Sequence, residues 1–164
     1  NDFDDETVLM LLGIKKEKPS LLTLCGLELD ATAADFSYKR LDSNDAKLLA
    51  PEIAVSEALT SIDLFSNNLV GETGFVNVSK VQGTHHDVGD EVIYEGRKMI
   101  VSKGKDSDNE IKMQSFQGII AIADALRFSA SLIAADLRRN CLDADTKQEL
   151  RNAMNDRPSF ELNL

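Results

Sequence analysis

Apolar residues recur in a fixed order in three stretches of the chain. Residues 59–69 read LTSIDLFSNNL, with apolar side chains at positions one, four, six and eleven and asparagine at position nine. Residues 132–142, LIAADLRRNCL, repeat this arrangement. Residues 31–41, ATAADFSYKRL, form a degenerate copy in which Lys39 replaces the asparagine. The recurrence indicates a repeat protein, whose units bury their apolar faces only by stacking on neighbours.

The residues between the copies predict helices. Copies one and two begin 28 residues apart, and residues 46–54 place apolar side chains at the three- to five-residue intervals of a helix. Pro51 lies inside this segment and is expected to kink it. The largely apolar residues 118–126 predict the equivalent helix before copy three. Each unit is therefore expected to be a strand followed by a helix.

Copy three begins 73 residues after copy two, which exceeds the 28-residue spacing by 45 residues. We assign the excess to an insertion at residues 71–115. Within it, residues 92–94, 99–101 and 111–113 alternate apolar and polar side chains, and turn-forming residues separate them. This pattern predicts a three-stranded antiparallel β-meander.

The two ends of the chain are expected to cover the repeats. Residues 1–30 predict two short helices, one beginning near Asp4 or Asp5 and one running from Ser20 through Leu27. Residues 145–164 predict a polar helix and a short strand. The predicted organisation is an N-terminal helical cap (1–30), repeats one and two (31–70), the insertion (71–115), and repeat three with a C-terminal cap (116–164).

These motifs resemble the leucine-rich repeat proteins of the ribonuclease-inhibitor-like type. The resemblance is carried by residues 59–69, 118–142 and 159–164. It implies an α/β fold, a short right-handed solenoid with a parallel β-sheet on its concave side and helices on its convex side, here with an inserted antiparallel β-meander. It also implies protein–protein recognition without chemistry of its own. Lys39 and the small side chains of Ala31 and Ala34 depart from the pattern and leave the register of the first strand open.

Strand alternation predicts which side chains leave the concave face. Positions four and six of each copy point into the core, so position five points outward. Position five holds Asp35, Asp63 and Asp136, and the C-terminal strand places Asn163 there. Because neighbouring strands lie ~4.8 Å apart, the three carboxylates would form a row across the sheet. A structural interpretation is also open, in which aspartate is common at this position and solvent screens the repulsion.

Aromatic and arginine side chains are predicted beside this row. The two positions that flank it toward the turn hold Tyr38, Phe65, Arg138 and Arg139. Because such residues are enriched in binding hot spots, we predict that they and the three aspartates bind a partner. In the alternative, the insertion folds back and buries Phe65. Asn67 and Asn140 are assigned a structural role as a ladder that bonds to backbone groups at the turns.

Composition limits the partners. The formal net charge of −10 argues against a nucleic acid or an anionic membrane surface and favours a basic protein surface. Two distant cysteines give no disulfide framework, and the longest apolar run is too short for a membrane span. We expect an intracellular protein, soluble or peripheral, without distinguishing the cytoplasm from an organelle interior. Because the chain begins at Asn1, an upstream leader or domain could have been removed.

No motif points to catalysis, a cofactor or a metal. His85 and His86 are adjacent and would point to opposite sides of an extended segment. Residues 106–110 lack the glycine and distal glutamate of a calcium loop, and Cys141 has no histidine nearby in sequence. The predicted function is a non-catalytic protein–protein interaction module that uses the concave face and the insertion. The alternative is a permanent structural or accessory subunit of a large multiprotein assembly. A regulator of small GTPases or actin ranks lower, because those families normally carry more repeats.

Overall fold

A computed structural model describes residues 3–18 and 20–164 of the chain. The fold is mixed α/β and contains a parallel and a separate antiparallel sheet, each of four strands. In chain order the elements are α1 (Asp5–Glu17), β1 (Ala33–Asp35), α2 (Ser43–Val55), β2 (Ser61–Asp63), β3 (Val76–Asn77), a 3-10 turn (Val78–Lys80), β4 (Glu91–Tyr94), β5 (Arg97–Lys103), β6 (Glu110–Gln114), α3 (Gln117–Phe128), β7 (Ala134–Asp136), α4 (Ala144–Ala153) and β8 (Glu161–Asn163). We call residues 71–115 the insert and the other described residues the body.

The parallel sheet of the body has the strand order β1-β2-β7-β8. The fourth positions of the four predicted strands are aligned across it, namely Ala34, Ile62, Ala135 and Leu162. The predicted register is therefore confirmed, including that of the first strand with its small side chains. Positions four and six of the two central strands are buried, so apolar side chains fix the register by filling one face of the sheet.

Helices cover the buried face of this sheet. Successive helices pack on each other, and α2 and α3 share one core with β2 and β7. Aspartate caps three of the helices, since Asp4, Asp42 and Asp143 accept hydrogen bonds from first-turn N–H groups of α1, α2 and α4. Helix α2 continues through Pro51 and ends at Val55.

The second N-terminal helix predicted from Ser20 through Leu27 is wrong, because this segment is irregular. Its backbone groups find side-chain partners instead. The Thr23 hydroxyl accepts hydrogen bonds from three N–H groups, those of residues 25–27. The buried Glu52 carboxylate of α2 accepts from the Leu24 N–H and the Thr23 hydroxyl, and also pairs with Lys15 at 2.6 Å. Such tertiary contacts outweigh the modest stability of a two-turn helix.

The insert forms the antiparallel sheet, with the strand order β3-β6-β5-β4. The three predicted strands of the meander are confirmed as β4, β5 and β6, and the two-residue strand β3 adds to them. The insert has a buried core of its own, formed by Val81, Val92, Met99, Val101, Ile111 and Met113. The two sheets therefore belong to two separate cores.

The insert leaves and re-enters the body where α2 and α3 begin. The Ser115 N–H donates to the Val70 carbonyl at 2.6 Å, which holds the two ends of the insert together. The Gly118 N–H donates to the Ser43 hydroxyl, and a Cβ on Gly118 would lie 2.4 Å from the Ser43 carbonyl oxygen. Only glycine fits this approach of the two helix starts.

No helix in residues 3–18 or 20–164 combines the length and the apolar character that crossing a bilayer requires.

Candidate functional site

The three aspartates predicted at position five form a row on the exposed face of the parallel sheet. Asp35, Asp63 and Asp136 are register partners on β1, β2 and β7, and Asn163 of β8 follows them. We call the three carboxylates the aspartate row. The structure therefore brings together side chains that lie up to 101 positions apart in the sequence.

Each aspartate of the row also has a local structural role. One carboxylate oxygen accepts a hydrogen bond from the N–H two residues further along, at 2.8 Å for Asp35 and Asp63 and 3.0 Å for Asp136. This Asx-type turn ends each strand. The hydrogen bonds from Ser37 hold the pKa of Asp35 below its ordinary value, so this carboxylate stays ionised at neutral pH. The structural interpretation thus explains the residue type, and the charges still face solvent.

The four aromatic and arginine residues predicted beside the row meet around the Phe65 ring. The Tyr38 ring stands edge-on to it with centroids 5.3 Å apart. The guanidinium carbons of Arg138 and Arg139 lie 5.4 Å and 5.3 Å from its centroid, within cation–π range. We call these four residues the Phe65 cluster. These aromatic and cation–π partners all belong to the body.

Left-handed backbone conformations help to place the cluster. Tyr38, Ser66 and Arg139 occupy the same position of three successive units, and their φ angles are 55°, 57° and 58°. Non-glycine residues adopt this region rarely. The repeated conformation turns the chain sharply after each strand and stacks the turns on each other, so the side chains of adjacent turns come into contact.

Arg138 joins the aspartate row to the Phe65 cluster. Its guanidinium pairs with both carboxylate oxygens of Asp136, at distances of 2.5–3.0 Å. The hydrogen bond from Arg138 is the main cause that lowers the pKa of Asp136 below its ordinary value. Among the described residues, the ion pairs involve neither Asp35 nor Asp63. These two carboxylates can therefore still accept a direct ion pair from a cation of another molecule.

A shallow trough of about 360 Å³ runs over the exposed sheet face. Small side chains form its floor at position three, namely Ala33, Ser61 and Ala134, and the aspartate row and Glu161 supply its acidic groups. Because the side chains of its floor are small, the trough has room for a long side chain or an extended segment of another molecule. Its acidic groups favour a positively charged one.

Asn67 and Asn140 occupy the structural ladder predicted for them. Asn67 accepts a hydrogen bond from the Leu41 N–H and donates to the Phe36 and Leu64 carbonyls. Asn140 is almost wholly buried and makes the equivalent contacts one unit further along. Each asparagine bonds to the turn of the preceding unit. In the described part of the chain no strand of the sheet precedes β1, and Lys39, at the ladder position of that first unit, is exposed.

A cleft of about 650 Å³ separates the turns of the body from the β4–β5 hairpin of the insert. On one side, Arg97 pairs with Asp42 at 2.7 Å, and the same carboxylate caps α2. Arg40 and Tyr94 also line the cleft. The sequence does not predict this ion pair, because Arg97 and Asp42 are 55 positions apart and belong to no common motif.

Possible metal ligands and two cysteines occur among the described residues. No group of three or more histidine, cysteine, aspartate and glutamate side chains among them is placed to hold a metal ion. Burial and the nearby Glu52 carboxylate raise the pKa of the Cys25 thiol to about 12, and burial also raises the pKa of Cys141. Protonated thiols are poor nucleophiles at neutral pH.

The exposed sheet face of this mixed α/β protein thus brings the three predicted aspartates close to the predicted aromatic and arginine residues. Comparison of the chain with models of known protein families, with curated proteins and with solved structures found no match.

Proposed function

We propose that this protein is a short leucine-rich-repeat solenoid that acts as a non-catalytic protein–protein interaction module. It binds a partner with a basic surface through the exposed face of its parallel sheet, and the insert extends that surface beside the turns. The observation that carries the proposal is the aspartate row, in register across three strands and in contact with the Phe65 cluster through Arg138.

The solenoid assignment is supported by three features of the body. Its strands are parallel, helices connect them, and the aligned positions of β1 and β2 are 28 residues apart. Asn67 and Asn140 tie each turn to the one before it. Every unit thus buries its apolar face against neighbours, as stacked repeats require.

A basic partner is favoured by the charges on the sheet face. Among the described residues Asp35 and Asp63 make no direct ion pair, although Lys39 and Arg138 lie within electrostatic range of them. The trough beside them admits a lysine or arginine side chain. The exposed Tyr38 ring offers the same cation an aromatic face. Complementary charge speeds encounter and sets specificity more than it adds affinity, so the aromatic contacts would supply much of the binding energy.

The test is site-specific photo-cross-linking in extracts of cells that contain the protein. A photoreactive amino acid replaces Ser61 on the sheet face or, as a control, Gln148 on the exposed side of α4. A protein captured from position 61 and absent from position 148 is the expected result. Asp35→Asn with Asp63→Asn should lower the yield about tenfold or more, a loss of roughly 1.4 kcal/mol of binding free energy.

Asparagine keeps the side-chain oxygen that accepts the turn hydrogen bond, so the double variant removes charge and preserves the fold. Asp106→Asn is the matched control, because Asp106 accepts similar turn hydrogen bonds in the insert, away from the sheet. An equal yield from the double variant, or equal capture from positions 61 and 148, would refute binding through the sheet face.

A second candidate, a permanent subunit of a large assembly, is favoured by one specific observation. Several large apolar side chains are exposed on the body, including Val55 and Phe128 at 75% and 69%. Permanent interfaces are more apolar than transient ones. A purified chain that stays monomeric and folded at high concentration would favour the reversible module, whereas aggregation in the absence of a partner would favour the subunit.

A further inference from the structure

The helix-to-strand loops of the body carry a row of exposed apolar side chains. Leu22, Leu29, Val55 and Phe128 are exposed at 58%, 63%, 75% and 69%. We call these four residues the apolar edge. They lie in the segments that lead into β1, β2 and β7, whereas the Phe65 cluster lies in the turns that leave those strands. The two surfaces are therefore at opposite ends of the parallel strands.

Three members of the apolar edge are neighbours in space, and the fourth, Phe128, lies on the next unit. Leu22, Leu29 and Val55 line one groove of about 280 Å³. Val55 and Phe128 are the last residues of α2 and α3, which pack on each other. Each is followed by a serine, Ser56 or Ser129, whose hydroxyl accepts the N–H three residues further along.

Hydrogen bonds link the two loops. The Ser131 hydroxyl, in the loop after Phe128, donates to the Ser56 carbonyl, in the loop after Val55, at 2.8 Å. The two exposed side chains thus occupy equivalent positions in adjacent, directly bonded units. Contiguous apolar exposure of this kind marks a surface that another molecule covers.

The backbone that follows the apolar edge into the strands restricts the form of that molecule. The Thr60 N–H donates to the Thr32 carbonyl, and the Ile133 N–H donates to the Thr60 carbonyl. These bonds engage the loop backbone between neighbouring units, so it does not present a strand edge to an incoming strand. An occupant must bring a backbone whose own hydrogen bonds are already made, and a helix does so.

Charge restricts the occupant further. Glu28 and Glu57 line the same groove, and both are exposed. Asp30 is exposed next to Leu29. Lys15 also lines the groove but is paired with Glu52, and Arg127 lies over the Phe128 ring. Among the described residues of the groove, the acidic groups without an ion pair are therefore those beside Leu22, Leu29 and Val55, where the rim repels an acidic helix and attracts one with lysine or arginine beside its apolar stripe.

We propose that the apolar edge is a docking surface for a basic amphipathic helix of a partner protein. Leu22, Leu29 and Val55 receive the apolar stripe of the helix, and Phe128 extends the contact onto the next unit. Glu28 and Glu57 pair with its basic flank. This surface is separate from the sheet face and does not depend on the function proposed for it.

The test uses a defined probe, a fluorescent synthetic peptide of about 14 residues, roughly four helical turns, with leucine on one face and lysine on the other. The peptide in which glutamate replaces lysine controls for charge. Binding to the full chain is followed by fluorescence anisotropy. We expect Val55→Gln with Phe128→Gln to weaken binding about tenfold or more, and Glu28→Gln with Glu57→Gln to weaken it several-fold.

Asp35→Asn with Asp63→Asn is the matched control and should keep the affinity within about twofold, because it changes only the sheet face. Binding that persists unchanged in both edge variants overturns the proposal, as does a peptide that loses affinity only in the aspartate variant. Equal binding of the acidic peptide also overturns it. If the free protein is a dimer that the Val55→Gln, Phe128→Gln variant converts to a monomer, the edge is a contact between copies and the proposal is wrong. Circular dichroism confirms that each variant is folded.

Discussion

The body and the insert build their cores in different ways. The parallel strands of the body are distant from each other in the sequence. A helix lies between each strand and the next, and between β2 and β7 the 45-residue insert precedes that helix. The insert pairs β4, β5 and β6 in chain order through short turns, and encloses six buried side chains. The body therefore depends on contacts between units, whereas the insert depends on contacts close in sequence.

This difference also governs how each region meets the other. The insert is attached by the backbone pair at Val70 and Ser115 and by polar contacts of its β4–β5 hairpin. Arg97 pairs with Asp42, and the Lys98 N–H donates to the Asp5 carboxylate. Because these contacts are polar and each region has its own core, the two regions can be destabilised separately.

The largest effect on stability is expected at Gly118, where the backbone of the body leaves no room for a side chain. A Cβ added by Gly118→Ala would lie 2.4 Å from the Ser43 carbonyl oxygen, and backbone cannot move aside as a flexible side chain can. We expect the free energy of unfolding of the body to fall by about 2–3 kcal/mol. Thermal and urea denaturation, followed by circular dichroism, measure it.

Gly13→Ala provides the control for Gly118→Ala. Gly13 lies in α1 with nothing within 4 Å of an added Cβ, so alanine should stabilise the helix by up to about 1 kcal/mol. Hydrogen exchange should show faster exchange in α2 and α3 of the Gly118 variant, with β4–β6 unchanged. Equal loss of protection in the insert would mean that the two cores unfold as one.

An intermediate effect is expected at the contact between the two regions. Arg97→Met removes the cation from Asp42, and the side chains of this pair are only 18% and 15% exposed. Asp42 keeps its capping hydrogen bonds, so we expect a loss of about 1 kcal/mol and faster exchange confined to the β4–β5 hairpin. Hydrogen exchange with mass spectrometry measures the change.

Lys98→Met is the control for Arg97→Met, since Lys98 contacts Asp5 through its backbone N–H, which the substitution preserves. A hairpin that exchanges at the wild-type rate in the Arg97 variant would show that the backbone attachment alone holds the insert in place.

The two regions also differ in how much the sequence reveals. In the body, the spacing of Ile62 and Leu64 against Ala135 and Leu137 predicts the register of the sheet, because one face must be buried. The same register places the aspartate row and the Phe65 cluster. In the insert, alternation predicts three strands, while the two-residue strand β3 is too short to produce a pattern.

The features that the sequence does not reveal depend on contacts and helix ends that are defined only in the folded chain. Residues 20–27 contain enough leucine to suggest a helix, but Glu52 and Thr23 take their N–H groups. Val55 and Phe128 are the last residues of α2 and α3, and both are exposed. Their exposure follows from the way the helices end, which periodicity does not encode.

The smallest effect is expected on the exposed sheet face, where stability and binding should separate. The hydrogen bond from Arg138 lowers the pKa of Asp136 from its ordinary 3.8, so the pair stabilises the fold above that pH. This stabilisation is lost as the pH falls through the lower folded-state pKa. Arg138→Gln should therefore lower the free energy of unfolding only slightly at pH 7, because the arginine is largely exposed and solvent screens the pair. The difference from the wild type should vanish once the pH lies below the lowered pKa of Asp136, as melting curves at a series of pH values will record. Arg127→Gln on α3 is a suitable control, since it removes an exposed arginine that makes no ion pair with the described carboxylates. A difference that stays the same down to low pH would mean that Arg138 stabilises the protein through the Phe65 ring, which does not titrate, rather than through Asp136.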